Sequence, residues 1–156
     1  MKFVLLTAQS STSEWCESSI LEYQKKINYF HAFEIKRVKG PKVKREGAET
    51  KREADSQAIL KALEPGDFVV LLDENGMEMS SLGFSKKLGQ CIDQSTKKIV
   101  FVIGGPYGAD EDLKRRANLK ISLSPMTMNH WVAQVVLIEQ IYRAMTILKG
   151  LPYHNV

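Results

Sequence analysis

The stretch KKIVFVIGGPYGAD runs from Lys97 to Asp110. Its apolar residues at 99–103 stop abruptly at Gly104-Gly105-Pro106-Tyr107-Gly108 and give way to Asp110 and Glu111. A short apolar run bounded by glycine and proline reads as a strand buried on both faces. The bend that follows is not GxGxxG, and no Lys-Ser/Thr comes after it. Neither a dinucleotide fingerprint nor a phosphate loop is supported. Glycines there permit positive φ and close backbone approach, so the bend is either a tight turn or a cradle for a ligand. Gly105-x-x-Gly108 also matches the short loop of KH modules, but that loop joins two helices and this one follows a strand.

Outward from this strand the chain alternates. Residues 2–8 are strand-like. Ser11 and Glu14 fit a capping box. Trp15, Ser19, Ile20, Tyr23, Ile27 and Phe30 follow a helical period. Residues 31–38 alternate as a second strand, with His31 read as a surface residue. Residues 46–63 read as a helix stopped by Pro65-Gly66. Residues 67–73, DFVVLLD, form another continuous apolar strand, and ENG after it reads as a turn. Ser81 caps a helix through Ile92. Residues 110–117 are a short helix and 119–123 a last strand. A long helix opens at Asn129 or His130 and closes at Gly150, a natural C′ glycine. About five strands alternating with helices predict an α/β fold, a mostly parallel sheet with helices on both faces. In such sheets ligands sit beyond the strands' carboxyl ends. Leu72-Asp73, Gly104-Gly105 and Leu123-Ser124 are therefore the places to expect a site.

The chain has 156 residues, 44% hydrophobic and 26% charged, which suits one soluble domain over residues 1–156. No apolar run approaches the roughly 20 residues that span a bilayer. Cys16 and Cys91 form no CxxC pair and read as buried thiols in a reducing cytoplasm. His31, His130 and His154 lack metal-ligand spacing, so no metal is expected. The net charge of +4 permits a polyanionic partner. Eight Lys/Arg fall between Lys36 and Arg52, Lys42, Lys44 and Arg45 among them. They form either a solvated face or a phosphate-contacting surface.

The last third carries the remaining candidates. Residues 123–128, LSPMTM, are small and sulfur-bearing and could line a pocket. Trp131, Val135, Ile138, Tyr142 and Met145 make an apolar stripe on the long helix. Glu139 and Arg143 are four apart and would pair along one face. The tail LPYHNV is either frayed or folded over a site.

VFVIGGPYG, SLSPMTMNH, VVLIEQIYRA and the terminal YH stand in the order and spacing of a known family. The chain resembles the small SPOUT-class methyltransferases of 23S rRNA along essentially its full length. The resemblance implies a single-domain SPOUT fold with a C-terminal trefoil knot, and a homodimer. It implies transfer of a methyl group from S-adenosylmethionine to N3 of a pseudouridine in a 23S rRNA stem-loop, presented by the ribosome or large subunit. It places the cofactor on Leu72, on Gly104 and Gly105, and on Leu123, Ser124, Pro125, Met126, Thr127 and Met128. His130, Lys42, Lys44 and Arg45 would contact RNA. Glu139, Arg143, Tyr153 and His154 would carry catalysis, with His154 as the titratable group, Arg143 as anion stabiliser, Glu139 orienting Arg143 and Tyr153 offering a ring to stack on. Positioning would dominate, with no single indispensable base. Two departures stand out: Asn129 where the family has Pro, and Gln134 where it has Arg. The rival readings are a SPOUT methyltransferase acting on tRNA and a non-enzymatic RNA-binding factor.

Overall fold

The computed structural model describes residues 1–9, 13–41, 47–94 and 97–155. Five strands, β1 (Lys2–Thr7), β2 (Ala32–Arg37), β3 (Phe68–Glu78), β4 (Lys98–Ile103) and β5 (Leu119–Ser122), alternate with five helices. The helices are α1 (Glu14–Asn28), α2 (Ala48–Ala62), α3 (Ser81–Asp93), α4 (Glu111–Arg116) and α5 (His130–Leu148). The strands form one sheet in the order β2-β1-β4-β3-β5, and every pairing is parallel.

Strict side-chain alternation explains why the strands are apolar throughout. Phe3, Leu5, Val70, Ile99, Phe101 and Ile103 point to one face, in a core with residues of α1, α3 and α5. Val4, Leu6, Val69, Leu71, Val100 and Val102 point to the other, packed with Ile59 of α2 and Leu113 of α4. Both faces are thus covered, as continuous apolar strands require.

The register aligns the strand ends. Thr7, Ile103, Leu72 and Ile121 occupy one row across β1, β4, β3 and β5. The segments following them therefore leave the sheet side by side, which places the glycine bend at the centre.

Four local readings, at Trp15, ENG, Ser81 and His31, are corrected, and a fifth, the Ser11 cap, falls on a residue that is not described. Ser11 lies outside the described residues, and α1 starts after Ser13, whose side chain makes no capping bond. Trp15 is 57% exposed, and its neighbour Cys16 takes the buried position. Residues 74–76, ENG, do not end a strand. β3 bulges at 73–76, with Leu72 and Met77 both opposite Ile121, and resumes to Glu78. Gly76 fits because a Cβ there would lie 2.6 Å from the Ile121 carbonyl carbon. Ser80, rather than Ser81, caps α3, accepting from Gly83 N–H at 3.1 Å. His31 precedes β2 and is half-buried against the Phe3 ring, with centroids 5.0 Å apart, rather than on the surface. Cys16 and Cys91 are buried thiols. Among the described residues no helix is long and apolar enough to cross a membrane.

Candidate active site

A cleft of about 500 Å³ opens beyond the aligned strand ends. The β3 bulge contributes Leu72, Asp73, Glu74 and Asn75 to its wall. The glycine bend contributes residues 103–109, and the segment after β5 contributes Leu123, Ser124, Met126, Thr127 and Met128. The three strand ends singled out from the sequence thus meet in one place. Pro125 is exposed and stays out of the wall. His130 and Ala133 of α5, Arg52 of α2 and Lys114 of α4 complete it. The lining mixes apolar side chains, backbone amides and charges of both signs, as small-molecule sites do.

The bend is a tight turn held from behind. Gly108 N–H donates to the Gly105 carbonyl at 2.9 Å, and Gly108 sits at φ +80. The glycine before it is needed because a Cβ on Gly104 would lie 2.9 Å from the Gly108 carbonyl carbon. A Cβ on Gly105 would fall on the Asp55 carboxylate, 2.8 Å from Cγ. The protein itself fills the space these glycines leave. Ser56 Oγ accepts the N–H of Asp110 at 2.9 Å, so α2 holds the bend at both ends.

The tail is ordered by its own contacts. Gly150, at φ +64, ends α5, with Gly150 N–H to Ile147 O at 3.1 Å and Leu151 N–H to Thr146 O at 2.9 Å. This turns Tyr153 and His154 back along α5. Glu139 takes Arg143 Nη2 at 2.5 Å and Nε at 3.1 Å, and the Tyr153 hydroxyl at 3.0 Å. Arg143 Nη1 lies 3.1 Å from His154 Nδ1. The four expected catalytic residues therefore form one hydrogen-bonded cluster. Burial, then hydrogen bonds to Tyr23 and Glu139, raise the Tyr153 hydroxyl well above its ordinary range, so it stays protonated. The Tyr153 ring has the Arg143 guanidinium 4.7 Å above it and Tyr142 edge-on at 4.8 Å, which leaves little of it free for stacking on a base.

This cluster does not line the cleft. Glu139 is nine residues beyond His130, or about 13 Å of helix rise, and Arg143 is about 20 Å along.

His130 lines the cleft at the start of α5, but its Nδ1 is buried without a partner. Burial lowers its pKa, and the Asp55 charge partly opposes that. The basic segment is only partly visible: Lys42, Lys44 and Arg45 lie outside the described residues. Of its other members, Lys36 and Arg37 pair with Glu34 and Glu17, and Lys51 and Arg52 with Asp55 and Glu49. The two departures have local roles. Asn129 caps α5, accepting Val132 N–H at 2.9 Å, and buried Gln134 donates to Gln9 Oε1 at 3.2 Å. Asp55, Ser56, Lys114 and Glu74 were not singled out from the sequence. Asp-Ser inside a helix, two residues that favour caps and turns, was the available signal for the first pair.

Residues 1–154 match the family model described as "Predicted SPOUT methyltransferase". The chain belongs to the SPOUT methyltransferase family. It is 44% identical over 156 residues to a Bdellovibrio bacteriovorus protein named ribosomal RNA large subunit methyltransferase H, covering all of both chains. It is 41% identical to the proteins of the same name from Parabacteroides distasonis and Bacteroides thetaiotaomicron, over 99% of each chain. The SpoU methyltransferase AviRb from Streptomyces viridochromogenes, solved in complex with AdoMet, is a looser likeness. Its TM-score is 0.47 at 17% identity, covering 92% of this chain and 57% of that one. A likeness that distant has no bearing on the chemistry of this SPOUT chain.

Proposed function

We propose that this chain is an S-adenosylmethionine-dependent methyltransferase that methylates N3 of a pseudouridine in 23S rRNA. The observation that carries this reading is the meeting of the three strand-end loops in one cleft, in a chain whose full-length relatives bear a ribosomal RNA methyltransferase name. The cleft fits the cofactor. Leu72, Ile103, Leu123 and Met128 offer an apolar wall for an adenine, and the bend and the 123–128 segment offer backbone groups for its edge. Asp73 and Glu74 offer acceptors for hydroxyl or ammonium groups, and Arg52 and Lys114 offer partners for a carboxylate. When bound, S-adenosylmethionine supplies a methyl group already activated by a sulfonium.

The protein's remaining task is to place the acceptor nitrogen in line and to help it lose a proton. The Arg143–His154 contact defines what the tail offers. A guanidinium only donates, so His154 Nδ1 accepts and the neutral ring carries its proton on Nε2. The imidazole thus presents a donor, suited to the charge that spreads onto a carbonyl oxygen as N3 deprotonates. Glu139 holds Arg143 in place through both Nε and Nη2.

Tail and cleft are separated along α5 within one chain, so we assign the complete site to two subunits of a homodimer. One subunit supplies the cofactor cleft, and the other supplies the 139–154 cluster. Val132 is exposed, and Val135 and Val136 are half-buried, leaving apolar surface on α5 for a second copy. The C-terminal trefoil knot, the cytoplasmic location and a substrate presented by the ribosome or large subunit belong to the same proposal. Calorimetric titration with S-adenosylmethionine, followed by mass analysis of 23S rRNA from a deletion strain, tests it. An intact modification pattern in that strain would refute the target, and an unbound cofactor would refute the reaction class.

A further inference from the structure

Glu139 is held by more than its partners in the tail. Its Oε1 takes Arg143 Nη2 at 2.5 Å and the Tyr153 hydroxyl at 3.0 Å. Its Oε2 takes the side-chain amide of Gln140, through Nε2, at 2.8 Å. Adjacent residues on a helix do not face each other, so spacing does not impose this contact. It needs an anchor, and α3 supplies one. Ser81 Oγ lies 2.7 Å from Gln140 Oε1, across 59 residues of sequence.

The direction of each bond follows from the groups. An ionised carboxylate only accepts, so the amide turns Nε2 toward Glu139 and leaves its carbonyl for Ser81. The Ser81 hydroxyl therefore donates. A flipped amide would set two acceptors 2.8 Å apart. On the other side Tyr153 donates to Glu139, so the Tyr23 hydroxyl, 3.2 Å away, donates to the Tyr153 oxygen. Two runs of donors, one from α3 and one from α1, thus end on the same carboxylate. Packing alone does not hold the amide. Gln140 borders a cavity of about 190 Å³, with Met79, Phe84 and Val136 in its wall, which leaves an unanchored amide room to swing.

We propose that Gln140 is a positioning residue for methyl transfer, carrying the Ser81 anchor into Glu139 and so fixing the plane of the carboxylate that holds Arg143. Arg143 in turn meets His154 Nδ1 at 3.1 Å. Gln140 acts through Glu139 rather than on the reacting atoms. The catalytic consequence rests on the tail cluster serving the methyl transfer, but the anchoring of Glu139 does not.

The test uses full-length Gln140→Met, Gln140→Glu and Ser81→Ala proteins and two readouts. The first is hydrogen exchange of the Arg143 Nε–H in ¹H–¹⁵N spectra, assigned by an Arg143→Lys variant, because exchange reports local opening. The second is methylation kinetics on an rRNA substrate. Gln140→Met keeps the bulk and removes the donor. Its Arg143 Nε–H should exchange faster than in wild type. Its kcat should fall by about 10- to 100-fold, the scale of a small misplacement outside the chemistry. Its S-adenosylmethionine affinity should be unchanged by calorimetry. Gln140→Glu keeps the shape but sets an acceptor against Glu139, so its kcat should fall at least as far. A residue that only filled space would tolerate it. Ser81→Ala should act in the same direction more weakly, and should add nothing in a Gln140→Met background, because the serine works only through the amide. A wild-type exchange rate in folded Gln140→Met would overturn the anchoring. A wild-type kcat in folded Gln140→Met or Gln140→Glu would overturn the catalytic role. Should neither Gln140 variant fold, an unchanged Arg143 exchange rate in Ser81→Ala would overturn the proposal equally. Absence of methylation by wild type would instead refute the methyl-transfer reading, leaving the exchange rates to decide the anchoring.

Discussion

Arg143 Nη1 meets His154 Nδ1 at 3.1 Å, and that contact fixes which end of the imidazole faces outward. In the proposed mechanism the tail depends on Arg143 twice, as a cation and as the group that orients His154. Arg143→Ala should lower methylation by about 10²–10³-fold, the range for removing a stabilising donor from a transition state. Cofactor affinity, measured by calorimetry, should stay near wild type. His154→Ala should cost less, because Arg143 and Glu139 remain.

Gly104→Val places its branch where the Gly108 carbonyl already sits. The bend must move, at about 1–3 kcal/mol of stability, the usual range for overpacking. S-adenosylmethionine affinity should fall with it. Gly47→Ala and Gly66→Ala are the controls: a Cβ at either meets nothing within 4 Å, and neither has positive φ. Thermal unfolding and calorimetry on the three proteins check the contrast.

Stability should fall in mild acid. Burial lowers the folded-state pKa of both His31 and His130 below the ordinary value of 6.5. Above that value both rings are neutral, folded or unfolded. As pH falls through it, the unfolded chain takes up protons first, so folding stability is lost toward the folded-state pKa values. Denaturant midpoints between pH 7.5 and 5.5, about one unit either side of the unfolded histidine pKa, should decline and the decline should flatten in a His31→Gln, His130→Gln double variant.

The basic segment makes a separate prediction about salt. Replacing Lys42, Lys44 and Arg45 with Gln should weaken binding to an rRNA stem-loop. Each lost phosphate contact should reduce the log–log salt slope by about 0.7–0.9. S-adenosylmethionine affinity should not change. A wild-type slope would assign these side chains to a solvated face.

Much of this arrangement was legible in the residues. Apolar runs at 68–72 and 99–103 announced strands covered on both sides, and the punctuation after them marked the cleft. The Glu139–Arg143 spacing announced their pairing. Other features were hidden because long-range packing decides them. Periodicity placed Trp15 in the core stripe, yet the helix turns Cys16 inward and leaves Trp15 exposed. ENG has turn chemistry, and the Asn75 N–H does bond Asp73 Oδ1 at 2.9 Å, but pairing with β5 carries the strand past it. Asp55 is buried only because Gly40 and Gly105 make room for it, a fact about three distant segments.

Each active site is proposed to combine one subunit's cleft with the other's tail. Deleting residues 153–156 should leave a chain that binds S-adenosylmethionine but methylates poorly, while Gly104→Val retains the tail and loses the cleft. Mixed dimers of the two, isolated with different affinity tags, hold one site with intact cleft and intact tail. The methylation rate of those mixed dimers on an rRNA substrate is the most direct measurement. Recovery to about half of the wild-type rate per dimer is predicted, since two-fold symmetry restores one site of two. A rate no higher than that of either parent would contradict the shared site.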